Sequence, residues 1–276
     1  MEKVYISADV EGLNGVTSFN QVLPEFYTEY SQMLPQLHLE INALIKGLKK
    51  AGVKEIVVND AHNTMTNLSL AQLPVDVTLI SGKPKKVSMM FGLTPDFDAV
   101  IFFAYHAKAT SAGVLAHTFN MYFKSVYLNN EKVSEAQLNA TYAACKNVPI
   151  VLASGDDVFC AELKNDIGNI CTIQTKQAIS STAAICNKNI ELLAEYENIA
   201  AAITTYPKIL YKTSDEYELK VEFSEKIVAK EIALALGLSS FENFVIYNSS
   251  DFEDVYVHLQ KISAETTLRR SQNQLV

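Results

Sequence analysis

Along the chain, short apolar runs that close on polar or glycine-containing turns alternate with longer stretches whose apolar residues recur every three or four positions. The first run, Lys3–Ala8, ends in Ser7-Ala8-Asp9-Val10-Glu11-Gly12-Leu13-Asn14-Gly15, where two glycines mark a turn. From Tyr30 onward Met33, Leu34, Leu37, Ile41, Leu44, Ile45 and Leu48 trace one face of an amphipathic helix. Pro35 is expected near its first turn, with Gly52 capping its end. Residues 55–58 read as a second strand closing on Asn59-Asp60-Ala61-His62-Asn63. Strand, helix and strand over this length make a βαβ unit with parallel neighbouring strands. A third strand is expected over residues 75–80, a short helix over 86–92, and a buried strand over 98–105, centred on Ala99-Val100-Ile101-Phe102-Phe103.

The pattern then continues with one hairpin arm at residues 124–128, followed by Asn129-Asn130. A helix opens at Ser134, with Gln137 completing a capping box. Residues 148–153 form a strand with Pro149 at its entry, where a missing N–H is tolerated, and helices follow over 158–166 and 188–203. After Tyr206-Pro207 the character changes. Tyr217, Leu219, Val221 and Phe223 alternate with Glu218, Lys220 and Glu222, a period of two that leaves one sheet face wet, as in antiparallel arrangements. A helix over 224–236 stops at Gly237, a strand covers 244–247, and a last helix follows Ser250, with Glu253 at its capping-box position. The expected fold class is therefore α/β: a doubly wound, mostly parallel sheet in residues 1–205, carrying the catalytic site, and a smaller α+β segment in 206–276 that contributes to oligomer contacts.

Composition narrows the function. The chain has 276 residues, 49% hydrophobic and 20% charged, ordinary for a globular protein. A formal net charge of -8 argues against nucleic acid, whose phosphates require clustered Lys and Arg. No apolar stretch approaches the ~20 residues needed to span a bilayer, so no membrane partner is expected. The first residues run straight into a strand without a signal-peptide pattern. Four cysteines, Cys145, Cys160, Cys171 and Cys186, are widely spaced with no Cys-x-x-Cys, and read as reduced thiols of a cytoplasmic protein.

The candidate chemistry lies at strand ends. In Asp9-Val10-Glu11 an extended chain puts both carboxylates on one side, and crowded acids repel unless a cation lies between them. Asp60-Ala61-His62 repeats the spacing, and His106 follows the apolar strand. Taken singly, each has a plain alternative: a solvated surface pair, an Asx-turn, a half-buried histidine. Jointly they differ, because the C-terminal ends of parallel strands line one edge of the sheet and can converge on one crevice. Mixed carboxylate and imidazole ligands suit zinc, with manganese or iron as alternatives, and their number exceeds what one catalytic zinc needs, favouring a bridged pair. His117, beyond a loop containing Gly113, is a candidate acid/base or nucleophile. Glu135 on position alone reads as a first-turn acid favoured by the helix dipole. Of the five histidines, His38 and His258 lie on helices and read as structural.

These residues resemble a known family. Ser7-Ala8-Asp9-Val10-Glu11-Gly12 is similar to the Ser-x-Asp-x-Glu-Gly signature of the DppA-type, zinc-dependent D-aminopeptidases of the bacterial dipeptide-permease operon. The likeness continues in order through Val58-Asn59-Asp60-Ala61-His62, Leu79-Ile80-Ser81-Gly82, Tyr105-His106-Ala107, Gly113-Val114, Ala116-His117 and Gly155-Asp156-Asp157, over roughly the first 180 residues. The resemblance implies two zinc ions per subunit, Asp9 bridging them and Glu11, His62, His106 and Glu135 completing the ligands. It places His117 at the family's nucleophile or acid/base position and makes Asp60 a group that orients a ligand. It also implies small peptide substrates with a free N-terminal D-residue, and a ring-shaped homo-oligomer, often a decamer. One departure is visible: the family carries an arginine shortly after a Lys-Gln pair, whereas Lys176-Gln177-Ala178-Ile179-Ser180-Ser181 has none. If that arginine holds a substrate carboxylate, specificity has shifted; Lys176 itself is a candidate either for supporting a ligand from behind or for touching substrate. The competing readings are another dinuclear hydrolase, a non-peptide amidase or phosphoesterase, and a metal-binding ring without turnover. A phosphoesterase should carry more basic residues near the crevice than Lys108 and Lys176.

Overall fold

A computed structural model of the chain describes residues 1–272. The chain begins with β1 (Lys3–Ala8), α1 (Tyr27–Lys50) and β2 (Glu55–Asp60), then β3 (Val77–Ile80) and β4 (Ala99–Tyr105). A tight hairpin follows, β5 (Ser125–Leu128) and β6 (Glu131–Lys132), turning through Asn129 and Asn130 at positive φ. Next come α2 (Glu135–Cys145), β7 (Ile150–Asp156), α3 (Asp157–Ile167), β8 (Cys171–Ser180), β9 (Ala183–Cys186) and α4 (Asn189–Ala201). The last third holds β10 (Tyr217–Glu222), α5 (Lys226–Leu236), β11 (Ser239–Phe241), β12 (Phe244–Ser249) and α6 (Phe252–Ser271).

Seven strands make the main sheet in the order β3-β2-β1-β4-β7-β8-β9, parallel throughout except for β9. The order reverses between β1 and β4, the position at which open α/β sheets form a ligand crevice beyond the strands' C-terminal ends. Successive residues of β1 serve opposite faces. Val4 and Ile6 pack with Leu37, Ile41 and Leu44 of α1 and Tyr196 of α4, while Tyr5 belongs to the cluster on the other side. That second cluster also takes in Val126 of β5, Leu219 and Val221 of β10, and Phe252 and Tyr256 of α6. The doubly wound, mostly parallel α/β class expected from the pattern is what the chain adopts.

The second sheet is antiparallel, in the order β11-β12-β10-β5-β6, so it draws strands from both sides of residue 206. Several local expectations need revision. Pro35 lies inside α1, well beyond its first turn, because the helix starts at Tyr27. Residues 86–92 supply only a 3₁₀ turn at Ser88–Met90. The last helix is capped by Asp251, whose side chain accepts from Glu253 N, and not by Ser250. The strands β8, β9 and β11 are not among those the pattern predicts. Thr175 and Lys176 of β8 are buried, but their polar ends turn to backbone carbonyls.

Candidate metal centre

The site is assembled from four segments. Asp9 and Glu11 stand just past β1, in a turn pressed onto the end of β4: Asp9 N donates to Phe103 O (2.9 Å) and Gly12 N to Ala104 O (2.8 Å). No side chain fits at Gly12, where a Cβ would lie 2.2 Å from Tyr105 O. His62 stands two residues past β2, and His106 follows β4 directly. Glu135 is the first residue of α2, behind the Ser134–Gln137 capping box. Asp9, Glu11, His62, His106 and Glu135 are all at least nine-tenths buried. Their ligand atoms form two trios, Asp9–Glu11–His62 and Asp9–His106–Glu135, each with atoms within 4.8 Å of one another. Asp9 belongs to both.

The imidazoles are oriented in one manner. His62 Nε2 lies 2.7 Å from Val22 O, and His106 Nδ1 lies 3.0 Å from Ala107 O. A carbonyl only accepts, so each of these nitrogens carries a hydrogen, and in the neutral ring the other nitrogen keeps its lone pair. On His62 that is Nδ1, 3.2 Å from Asp9 Oδ1 and 3.1 Å from Glu11 Oε2. On His106 it is Nε2, 3.5 Å from Asp9 Oδ2 and 3.4 Å from Glu135 Oε1. Lone pairs aimed at carboxylates repel unless a proton or a metal ion lies between them. Glu11 Oε2 and His106 Nε2 are moreover buried without a hydrogen-bond partner. An imidazole anchored by one nitrogen to a carbonyl and presenting the other beside carboxylates is the usual arrangement of a metal ligand. The residues fit a metal pair.

Charge argues the same way. Burial and the adjoining Glu11 push the Asp9 carboxyl up to about 8. Burial opposes ionisation of Glu11 too, but His62 and His106 hold it well below the usual range. For Glu135, burial is likewise outweighed, by His106 and then His117. Burial disfavours charge on the imidazoles, yet Glu11 and Asp9 push His62 well upward, and Glu135 with its neighbours takes His106 to about 10. The buried carboxylates thus need positive charge beside them, which imidazolium or a divalent cation supplies.

His117 differs from its neighbours. It stacks on His106 with ring centroids 4.0 Å apart, its Nδ1–H donates to Leu115 O (2.8 Å), and Nε2 lies 3.7 Å from Glu135 Oε1. Burial and the adjacent His106 lower its pKa, which keeps the ring neutral. It lines a cavity of about 330 Å³ together with Thr110, Met121, Tyr122, Lys124 and Arg270, a cavity that His62 and His106 do not line.

The remaining candidates are placed differently. Asp60 turns away from the cluster and accepts from Asn67 N (2.6 Å), Leu68 N (2.8 Å) and Asn67 Nδ2 (2.8 Å). Asn67 Nδ2 also donates to His62 O at 2.8 Å, so Asp60 supports the turn that carries His62. Lys176 is buried with its ammonium on backbone carbonyls of residues 11–16. His38 uses both nitrogens structurally, on Leu34 O and Ser69 N, and His258 bonds Asp254 O and stacks on Tyr247. Sequence reasoning missed two buried charges. Lys85 donates to Asn59 Oδ1 (2.5 Å) and Asp60 O (2.6 Å) at the end of β2, and Glu40 receives Asn14 N (2.9 Å) from the Asp9–Glu11 turn. For Glu40 the signal was available, since an acid beside Ile41 falls on the apolar face of α1.

A doubly wound sheet whose switch point gathers buried carboxylates around imidazole nitrogens has the features of a metallohydrolase. Comparison with known proteins is specific. Residues 2–261 match the model of the D-aminopeptidase family, peptidase family M55. The chain is 34% identical over 184 residues to a D-aminopeptidase of Bacillus subtilis strain 168, covering 67% of each protein. Its fold superposes with a TM-score of 0.90 and 28% identity on a structure described as the Zn-dependent D-aminopeptidase DppA from Bacillus subtilis, a self-compartmentalizing protease, covering 96% of this chain and 98% of that one. The chain belongs to the D-aminopeptidase family of peptidases.

Proposed function

We propose that this protein is a dinuclear zinc aminopeptidase that removes the N-terminal D-residue from short peptides. The observation that carries this reading is the pair of trios sharing Asp9. Asp9, Glu11 and His62 would hold one ion, and Asp9, His106 and Glu135 the other. When bound, the zinc pair supplies Lewis acidity for the scissile carbonyl and for the attacking water. The similarity to a structure described as Zn-dependent supports zinc over manganese or iron, and its description as self-compartmentalizing supports a closed homo-oligomer here.

The chain's own contributions follow from its geometry. His117 is neutral, part-exposed, held in one tautomer by Leu115 O, and lines the cavity, with its basic atom Nε2 3.7 Å from Glu135 Oε1. It accepts a proton there and returns it to the departing amine. Stacking on His106 and the contact with Glu135 fix its ring, so little reorganisation accompanies the transfer. Burial of the carboxylates excludes competing water from the ligand set.

The test is hydrolysis of paired D- and L-alanyl p-nitroanilides by metal-free protein, by zinc-loaded protein and by zinc-loaded His117→Ala. Zinc-dependent cleavage of the D form is expected, with kcat reduced about 10²- to 10⁴-fold in the variant while its zinc content stays at two. Equal cleavage of the L form removes the D-selectivity. Cleavage of neither form by protein verified to hold zinc overturns the reading.

A further inference from the structure

Lys176 is fully buried and pairs with no carboxylate among the described residues. Its three N–H donors go to three backbone carbonyls of one turn: Glu11 O at 2.6 Å, Leu13 O at 2.8 Å and Val16 O at 2.5 Å. The preceding side chain, Thr175, donates its hydroxyl to Gly12 O at 2.5 Å. An ammonium has three donors and no acceptor, so none is left for a substrate. From α1 Glu40 receives Asn14 N at 2.9 Å, and the N–H groups of Asp9 and Gly12 go to β4. The turn carrying two of the five proposed ligands is therefore held by three elements, β8, α1 and β4.

Carbonyl dipoles aimed at a single point repel one another, and such a concavity is held together by a cation at its centre. Here the cation is tethered to β8, three places from β1 in the sheet. We propose that Lys176 is a positioning residue that fixes the turn of residues 11–16 and so presets the Asp9–Glu11–His62 trio for metal; this rests on the dinuclear reading above. The arrangement also accounts for a buried lysine on β8, beside Thr175, which serves the same turn.

The measurement is zinc affinity, by chelator competition, of the full-length protein and of Lys176→Met, with circular dichroism and oligomer size recorded on the same samples. Methionine keeps the length and removes the charge. Folded Lys176→Met is expected to bind zinc about ten- to a hundredfold more weakly. In Lys176→Ala, propylammonium replaces the missing carbons and charge and is expected to restore zinc binding, whereas propan-1-ol is not. If the wild-type protein takes up no zinc, the metal reading falls and this inference with it. Wild-type zinc affinity in folded Lys176→Met, or equal rescue by the alcohol, overturns the positioning role alone. Where neither lysine variant folds, Thr175→Val, which removes only the bond to Gly12 O, carries the measurement: several-fold weaker zinc binding supports the clamp, and unchanged affinity overturns it.

Discussion

Asp9 and Glu40 are both buried acids, yet their surroundings treat them differently. Asp9 lies among imidazoles in a cluster built around positive charge. Glu40 receives mainly neutral donors, Asn14 N, Gln36 Nε2 and the Tyr196 hydroxyl, with Lys176 too distant for direct pairing. Burial, only partly offset by these hydrogen bonds, raises its pKa to about 7. Folded Glu40 thus holds its proton more tightly than the unfolded chain does. This group stabilises the fold at low pH, and its contribution fades as pH rises from 4.5 toward about 7. Glu40→Gln removes the titration, so its thermal midpoint relative to wild type should climb across that interval. Parallel melting curves for the two proteins would show the idea wrong.

At the scale of elements, the β1 turn and the end of β4 meet at Gly12, and two nearby glycines separate steric contact from backbone conformation. A Cβ at Gly12 would meet Tyr105 O at 2.2 Å and Ala104 C at 2.4 Å, both rigid backbone. Gly15 has φ +82° and nothing within 4 Å. Gly12→Ala should cost more than about 3 kcal/mol in a urea titration, from the clash, while Gly15→Ala should cost about 1 kcal/mol, from its φ alone. Similar midpoints for the two would contradict the close approach. This junction was partly legible in the sequence. The apolar run of β4, the βαβ spacing and the acids and histidines at strand ends located Asp9, Glu11, His62 and His106 at one sheet edge, because each signal is local. The Ser134 capping box was legible for the same reason. What held Glu135 against the cluster was not, since its approach depends on Phe119 N donating to it at 2.6 Å across a loop whose Leu115 and Phe119 adopt positive φ. Nor was β8, whose lysine is explained only by carbonyls some 160 residues earlier in the chain.

On the scale of the whole molecule, the candidate metal centre is a seam. It joins β1, β2, β4 and α2, and behind it a buried chain of hydrogen bonds runs from Ser7 through Tyr105 and Asn139 to Tyr256 on α6. Ligands drawn from distant parts of the chain bring metal affinity into folding stability, because the unfolded chain lacks the site. Removing zinc should lower the thermal midpoint, and zinc at a thousand times its dissociation constant should return about 4 kcal/mol per site. Differential scanning calorimetry with and without chelator tests this, and superimposable traces would count against it. Asp9 adds a consequence of its own. With an ion in each trio, the two loading equilibria are not separate: the factor by which the first ion alters the second's dissociation constant is the factor by which the second alters the first's. The half-loaded population therefore depends on that cooperativity as well as on free zinc, and a change touching only Glu135 alters occupancy on the His62 side.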